Sequence, residues 1–400
     1  MNMKLLSTQF YGYKLFLIVL ACATIQSCAN RVSVNKQFKH AGIQTQFMLQ
    51  VIDSAKKNVA SKNLVSPRTT ENGNIKLVKG TDWTSGFFPG ELWFLYEQTG
   101  SLEWLREARK FTALLEPVQF YGGTHDLGFM MYCSFGNGFR LTGDTAYQRV
   151  IIQSAKTLSG RFNAVAGVIK SWDFSKEKWK YPVIVDNMMN LELLFEATKL
   201  TQDSSFYKIA VRHANTTMKN HFRSDNSSYH VIDYDPETGQ VLQKLTSQGH
   251  SDASAWARGQ AWGLYGYVTC YRATKNKEYL QQAEKIAAYI LSRLPSDRIP
   301  FWDFDAPAIP NEPRDASAAA IIASALYELN TFSRKKIYLK TADEILKKLA
   351  ASYVSPLNKN GGFLLLHSTG HKPANIEIDV PLVYADYYFL EAMKRSKLMR

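Results

Sequence analysis

The sequence predicts an all-α fold, a toroid of six helical hairpins of the (α/α)6 type, from three observations. A short polar junction recurs along the chain, the runs on its two sides differ in character, and the links between successive hairpins are long.

The junction reads Thr99-Gly100-Ser101-Leu102-Glu103-Trp104, then Thr142-Gly143-Asp144-Thr145-Ala146-Tyr147. It returns as Thr201-Gln202-Asp203-Ser204-Ser205-Phe206 and Thr274-Lys275-Asn276-Lys277-Glu278-Tyr279, and a looser copy runs from Thr331 to Tyr338. Each follows an apolar run and opens another with helical spacing, as in Tyr279, Leu280, Ala283, Ile286, Ala287 and Ile290. The turn should end one helix, and its Asp, Asn or Ser should cap the next. Five such turns make five antiparallel hairpins. A first helix at about 43–60 and a last at about 379–395 bring the expected number to twelve.

The runs before a junction are apolar nearly all round or built of small residues, such as Phe129-Met130-Met131-Tyr132-Cys133 and Ala318-Ala319-Ala320-Ile321-Ile322-Ala323. Helices of that kind are buried on every side. The runs after a junction keep a polar face, as in Lys335, Lys336, Lys340, Lys347 and Lys348. Inner and outer helices alternating twelve times close a toroid, with an open helical solenoid as the alternative. The outer-to-inner links, about 61–82, 161–184, 222–253, 295–313 and 354–378, carry aromatic residues and scattered glycines. Loops of that length in a compact domain are commonly functional, so one rim of the barrel is where a site is expected.

A hydrophobic content of 46% with 13% aromatic residues is enough for one large core and excludes a disordered chain. Lys4 and Lys14 precede an apolar run, Leu15 to Ala23, that is too short to span a bilayer and reads as an export signal. Ile25-Gln26-Ser27-Cys28 resembles a bacterial lipoprotein box, with Ala21-Cys22-Ala23 as the competing cleavage site. The expected organisation is a signal of the lipoprotein type at 1–27, a linker at 28–42 and a single catalytic barrel at 43–400. Cys28 would carry the lipid, the chain's one link to a membrane, and the protein would be exported to the periplasm. The mature chain then has a net charge of +11, the +13 of the whole sequence less Lys4 and Lys14. That charge suits an anionic partner, although not nucleic acid, since the protein is exported and no dense basic cluster stands out. Cys133 and Cys270 sit in apolar helical runs and read as buried free thiols.

Unusual residues mark the start of each inner helix. They are Asp82-Trp83, His125-Asp126, Asp186-Asn187, Trp256 with Arg258 and Trp262, and Arg314-Asp315, joined by His230, Gln248 and His250 from a long link. Taken singly, each has an ordinary explanation: an Asp at a helix start is a cap, a Trp is core, an Arg pairs with a carboxylate. Together they exceed what capping requires, because Ser or Thr would cap as well. No zinc spacing and no Cys-x-x-Cys occurs, so neither metal nor cofactor is expected. Gly136-Asn137-Gly138 lies within a helix and is no phosphate loop, and Gly-x-Ser-x-Gly is absent. What remains is carboxylate acid/base chemistry in an aromatic-lined sugar pocket.

In type, order and spacing these residues resemble glycoside hydrolase family 88, the unsaturated glucuronyl hydrolases. The matching stretches are Asp82 to Gly90, Thr-His-Asp-Leu-Gly-Phe (124–129), Val-Asp-Asn-Met-Met-Asn (185–190), Trp-Ala-Arg-Gly-Gln-Ala-Trp-Gly-Leu-Tyr-Gly (256–266), Trp-Asp-Phe (302–304), Arg-Asp-Ala-Ser-Ala (314–318) and Asp386 to Ala392. The resemblance implies removal of the 4,5-unsaturated uronic acid that polysaccharide lyases leave at a non-reducing end, by hydration of its C4=C5 vinyl ether. By matching motifs, Asp186 would be the acid/base, and the charge of Asp126 would help keep it protonated. Trp83, Trp256 and Trp262 would wall the sugar. His125, His230 and Gln248 would bind hydroxyls or position water, and Arg258 would meet the uronate carboxylate or lie close to it. Arg314-Asp315 reads as a capped and paired helix start. Ser368, His371 and Lys372 stand at about the position where sulfate-tolerant members place their contacts. Three rival readings remain: the family 105 hydrolases of unsaturated rhamnogalacturonan, which share the barrel; a non-catalytic glycan-binding lipoprotein; and an epimerase-type toroid using His230 and His250 as bases.

Overall fold

A computed structural model describes residues 32–57 and 63–399. Residues 34–400 form one compact unit. The expected signal and Cys28 lie outside the described residues.

In chain order the unit contains α1 (Val34–Ala55), a hairpin of β1 (Ser66–Glu71) and β2 (Asn74–Val78), α2 (Phe87–Thr99) and α3 (Leu102–Ala113). The next inner helix, α4, begins as a π-helical stretch, Gly128–Gly136, and continues as Asn137–Thr142. There follow α5 (Thr145–Ser159), β3 (Phe162–Asn163), β4 (Val168–Ile169), β5 (Pro182–Ile184), a 3-10 turn at Val185–Asn190, α6 (Leu191–Thr201) and α7 (Ser204–Asn220). The remainder is β6 (Val231–Tyr234), β7 (Val241–Leu245), α8 (Ala257–Thr274), α9 (Lys277–Arg293), α10 (Ala316–Ser333), α11 (Lys336–Ser352), β8 (Ser368–His371), β9 (Ile376–Val380) and α12 (Val383–Lys397).

The five junctions share one physical device. Gly100, Gly143, Gln202, Lys275 and Arg334 each take a left-handed backbone, with φ between 54° and 68°. In the first four, the threonine before the turn donates its hydroxyl to the carbonyl four residues back. The same hydroxyl accepts the amide of the residue that opens the next helix. Threonine thus seals the end of one helix and holds the start of the next. Asp144, Asp203 and Asn276 then cap α5, α7 and α9 through their side chains, each worth about 1 kcal/mol. Ser101 and Lys335 make no side-chain cap, so the capping expectation fails at those two junctions.

The inner helices close a ring. α2 packs on α4, α4 on the 185–190 turn and α6, these on α8, α8 on α10, α10 on α12, and α12 returns to α2. That closure decides for the toroid over the open solenoid. Long stretches of the inner helices are buried on all sides, including Ala257 to Cys270 and Ala316 to Leu329. The outer helices bury one face each, as α9 does with Tyr279, Ala283, Ile286, Ala287 and Ile290.

Two boundaries differ from expectation. The first helix starts at Val34, inside the expected 28–42 linker, because Val34, Phe38, Ala41 and Met48 supply a buried helical face. The long links are not irregular loops: four of the five carry short antiparallel strands. β5 pairs with β6, setting Ile184 opposite Val231, and β6 pairs with β7. That register places His230 directly beside the turn that carries Asp186.

Candidate active site

A cavity of about 290 Å³ opens at the ends where the inner helices begin. Thr124, His125, Asp126, Asp186, His230, Gln248 and Trp83 line it, so residues far apart in sequence meet there as expected. The backbone explains the convergence. Thr124 bridges to Trp172, and the His125 amide donates to the Ser171 carbonyl, drawing the 124–126 corner onto the 170–172 segment. The Val185 amide donates to the His230 carbonyl. Gly128 permits the close approach of α4 to the 185–190 turn, since a Cβ there would lie 2.6 Å from Asn190 Cα.

Asp186 is 8% exposed. Its turn begins without a side-chain cap, and its Oδ2 has no hydrogen-bond partner among the described residues. Burial raises its pKa to about 7, opposed by His125 and Arg258 and reinforced by Asp126. The sequence reading credited Asp126 with keeping Asp186 protonated; burial is the larger cause, and Asp126 adds in the same direction. His230 Nε2 lies 3.7 Å from Asp186 Oδ2. Its Nδ1 accepts the amides of Ser247 and Gln248 at 3.0 and 3.1 Å, which leaves the ring proton on Nε2, facing Asp186. Burial holds the His230 pKa well below the usual histidine value. A neutral imidazole donating from Nε2 is a hydrogen-bond donor, not a base, which counts against the epimerase reading.

One oxygen of Asp126 lies 3.0 Å from His125 Nε2, and the other accepts the Thr124 hydroxyl at 2.6 Å. Gln248 donates its side-chain amide to the Gly370 carbonyl at 3.1 Å. Trp83 packs 4.9 Å from Tyr384 and 5.5 Å from Phe129 and supplies one aromatic wall. His250 is held outside the cavity by its amide, which donates to Asp303.

Four expected contacts are corrected, and that of Arg258 is narrowed. Trp256 and Trp262 are not walls. Trp256 is buried behind His230 and Arg258, 4.7 and 4.6 Å away. Trp262 is fully buried between Phe129 and Tyr388 and does not line the cavity. Arg258 reaches the cavity wall, but much of its guanidinium is already committed. It donates to Asp315 Oδ2 at 3.0 Å and to the carbonyls of Thr369 and Gly370. Nε lacks a partner, so Arg258 stands at the wall close to where the uronate would lie, with three of its five N–H groups already engaged. Ser368 is fully buried in β8. Lys372 lies over the Trp302 ring, 3.6 Å from Glu312, and does not line the cavity. Asp315 does cap α10 and is paired, as expected of a structural residue, but its partner is Arg258; Arg314 pairs with Asp297.

Several lining residues carried no signal in the sequence. Arg68, from β1, forms a two-pronged pair with Glu377 at 2.6 and 2.9 Å and reaches Asp82 at 2.9 Å. It ties the β1–β2 and β8–β9 hairpins together at the cavity mouth. Trp172 and Phe174 stack 5.2 Å apart at 11°, and Phe174 is 66% exposed. Only their link's length and aromatic content hinted at a role. Ser171 and Tyr384 also line the cavity. His371, expected as a sulfate contact, lines the cavity and pairs with the Ser247 carbonyl. Among the described residues no group of three His, Cys, Asp or Glu side chains could hold a metal ion.

A closed helical toroid with a buried, unpaired carboxyl in an aromatic cleft defines a carboxylate-dependent, sugar-processing enzyme. The family model for glycosyl hydrolase family 88 matches residues 56–397, and the chain belongs to that family. It is 52% identical over 327 residues to an unsaturated glucuronyl hydrolase of Formosa agariphila, covering 81% of this chain and 82% of that one. It is 33% identical to an unsaturated chondroitin disaccharide hydrolase of Streptococcus pneumoniae, covering 82% and 85%. The crystal structure of an unsaturated glucuronyl hydrolase specific for heparin superposes with a TM-score of 0.86 at 47% identity, covering 92% of this chain and 97% of the other. These findings set aside the family 105 reading and the non-catalytic binder.

Proposed function

We propose that the enzyme removes the 4,5-unsaturated uronic acid from the non-reducing end of glycosaminoglycan-type oligosaccharides released by lyases. The observation that carries this reading is Asp186, a buried carboxyl raised to about 7 with no cation paired to it. In the proposed step the Asp186 carboxyl gives its proton to C4 of the vinyl ether. The resulting carboxylate takes a proton from the water that adds at C5, so one water is consumed and Asp186 is restored. The C5 hemiketal then opens and the rest of the oligosaccharide leaves. Asp126, held by His125 and Thr124, contributes negative charge beside the cationic character that develops. Trp83 faces the sugar, and His230 and Gln248 meet hydroxyls or water. The relatives that act on unsaturated glucuronyl and chondroitin substrates, and the basic mature chain, support this substrate class.

Loss of the ultraviolet absorbance of the conjugated uronate tests the reading, on unsaturated chondroitin, hyaluronan and heparin disaccharides. Bleaching of any of them establishes the reaction and ranks the substrates. A folded enzyme that bleaches none of them contradicts the glycosaminoglycan assignment.

We further propose that the chain is exported and lipid-anchored through Cys28, on the strength of the Ile25-Gln26-Ser27-Cys28 box. Cys28→Ala should release the enzyme from the bacterial membrane fraction into the soluble periplasm. Unchanged fractionation would oppose the anchor.

A further inference from the structure

We propose that Ser171 is a positioning residue whose single hydroxyl aims both active-site carboxylates, an inference that rests on the reaction proposed above. Ser171 follows β4 and is locked by its backbone: its amide donates to the Pro182 carbonyl at 2.8 Å, and its carbonyl accepts the His125 amide at 3.2 Å. Its Oγ accepts the Ile184 amide at 3.0 Å and lies 3.2 Å from His125 Nδ1. Ile184 stands two residues before Asp186, and His125 one residue before Asp126. One oxygen atom therefore ties the strand that delivers Asp186 to the corner that delivers Asp126.

The direction of the chain follows from donor and acceptor inventory. The Ile184 N–H can only donate, so it occupies one lone pair of Oγ and leaves the hydroxyl proton and the second lone pair to face His125 Nδ1. The neighbouring carboxylate chooses between them: Nε2 lies 3.0 Å from Asp126 Oδ1, so in the neutral ring the proton sits on Nε2 and Nδ1 accepts from the hydroxyl. The opposite tautomer would set the Nε2 lone pair against a carboxylate oxygen at the same distance. Asp126 Oδ2 is fixed separately by the Thr124 hydroxyl. The order Ser171, His125, Asp126 resembles a nucleophilic triad, but Ser171 is buried and its Oγ already accepts an amide proton. The chain ends in a carboxylate that needs aiming. His230 is pinned in the same tautomer by two backbone amides, so both histidines present Nε2–H to the carboxylates, one through a side chain and one through a loop.

The wild-type enzyme labelled with 15N histidine tests this first. The His125 resonances, identified by their loss in His125→Gln, should show a protonated Nε2 and a bare Nδ1. In Ser171→Ala the tautomers should mix, kcat should fall roughly tenfold to a hundredfold and KM should change little, because misaimed groups cost rate more than binding. Ser171→Cys, which keeps the size and a weak donor, should fall between the two and serves if the alanine variant does not fold. A protonated Nδ1 on His125 in the wild type overturns the inference, as does wild-type kcat in Ser171→Ala. Failure of the wild type to turn over any unsaturated disaccharide instead sinks the reaction assignment, and the tautomer measurement stands apart from it.

Discussion

The two ends of the barrel hold cavities of similar size, about 290 Å³ where the inner helices begin and about 310 Å³ where they end, with Phe129 bordering both. Both are rich in ionisable groups, yet they are built on opposite rules. At the far end every charge has a partner. Arg272 bridges Glu192 and Glu328, Arg395 joins Glu328 to Glu391, and Glu97 pairs with both Arg140 and Lys394. At the mouth the one cation fully inside the protein, Arg258, is spent on Asp315 and two carbonyls, and Asp186 is left without a counter-ion. Compensation makes the far end a brace for the helix termini. Withholding it makes a carboxyl that holds its proton near neutral pH. Burial is common to both ends, and pairing separates structure from chemistry.

The largest expected effect is on Asp186. Asp186→Asn should lower turnover by about a thousandfold or more while substrate binding survives, because general acid catalysis is worth about 10²–10⁴. A loss of binding with turnover kept per bound substrate would break the contrast.

At the far end, Arg395→Ala should cost about 3–5 kcal/mol of stability in denaturant unfolding, since it leaves Glu391 without a cation in the interior, while Glu328 keeps Arg272. Turnover per folded molecule should not change. A kinetic defect without a stability defect would make the far end part of the chemistry.

Asp186 should also leave a mark on stability. The unfolded carboxyl releases its proton near 3.8 and the folded one at about 7. The stability associated with a neutral Asp186 is therefore complete below about 3.8, declines as pH rises, and is gone above about 7. The difference is a few kcal/mol. Asp186→Asn has no proton to lose, so the melting temperature of the variant relative to wild type should climb between pH 4 and pH 8. A constant offset would mean that Asp186 titrates as an exposed carboxyl does.

The smallest effect belongs to Lys372, held by Glu312 outside the cavity. Lys372→Ala should leave kcat/KM within about twofold on sulfated and unsulfated disaccharides alike, because Lys372 does not line the cavity. A selective loss on the sulfated one would restore Lys372 to the site.

The helical frame and the carboxylates were legible because each has a local signature. Threonine followed by a left-handed residue and a capping side chain marks a hairpin wherever it occurs, and Asp126 and Asp186 stand at the starts of apolar runs. The rim strands were not legible. Two to six residues such as Ser66 to Glu71 are too few and too polar to show a period of two. Arg68 and Ser171 were invisible for the same reason, since their roles exist only once the hairpins meet. Trp256 and Trp262 were recognised at the right mouth but given the wrong depth. Spacing along α8 places Trp262 and Arg258 near the rim, and only the packing shows that Tyr388 and Asp315 have already claimed them.

Infrared difference spectroscopy of the wild type against Asp186→Asn, followed across pH, tests the central claim most directly. A protonated carboxyl band assigned to Asp186 should be present at pH 5 and disappear with a midpoint near 7. A carboxylate already ionised at pH 5 would contradict the account, because Asp186 would then have no proton to give at neutral pH.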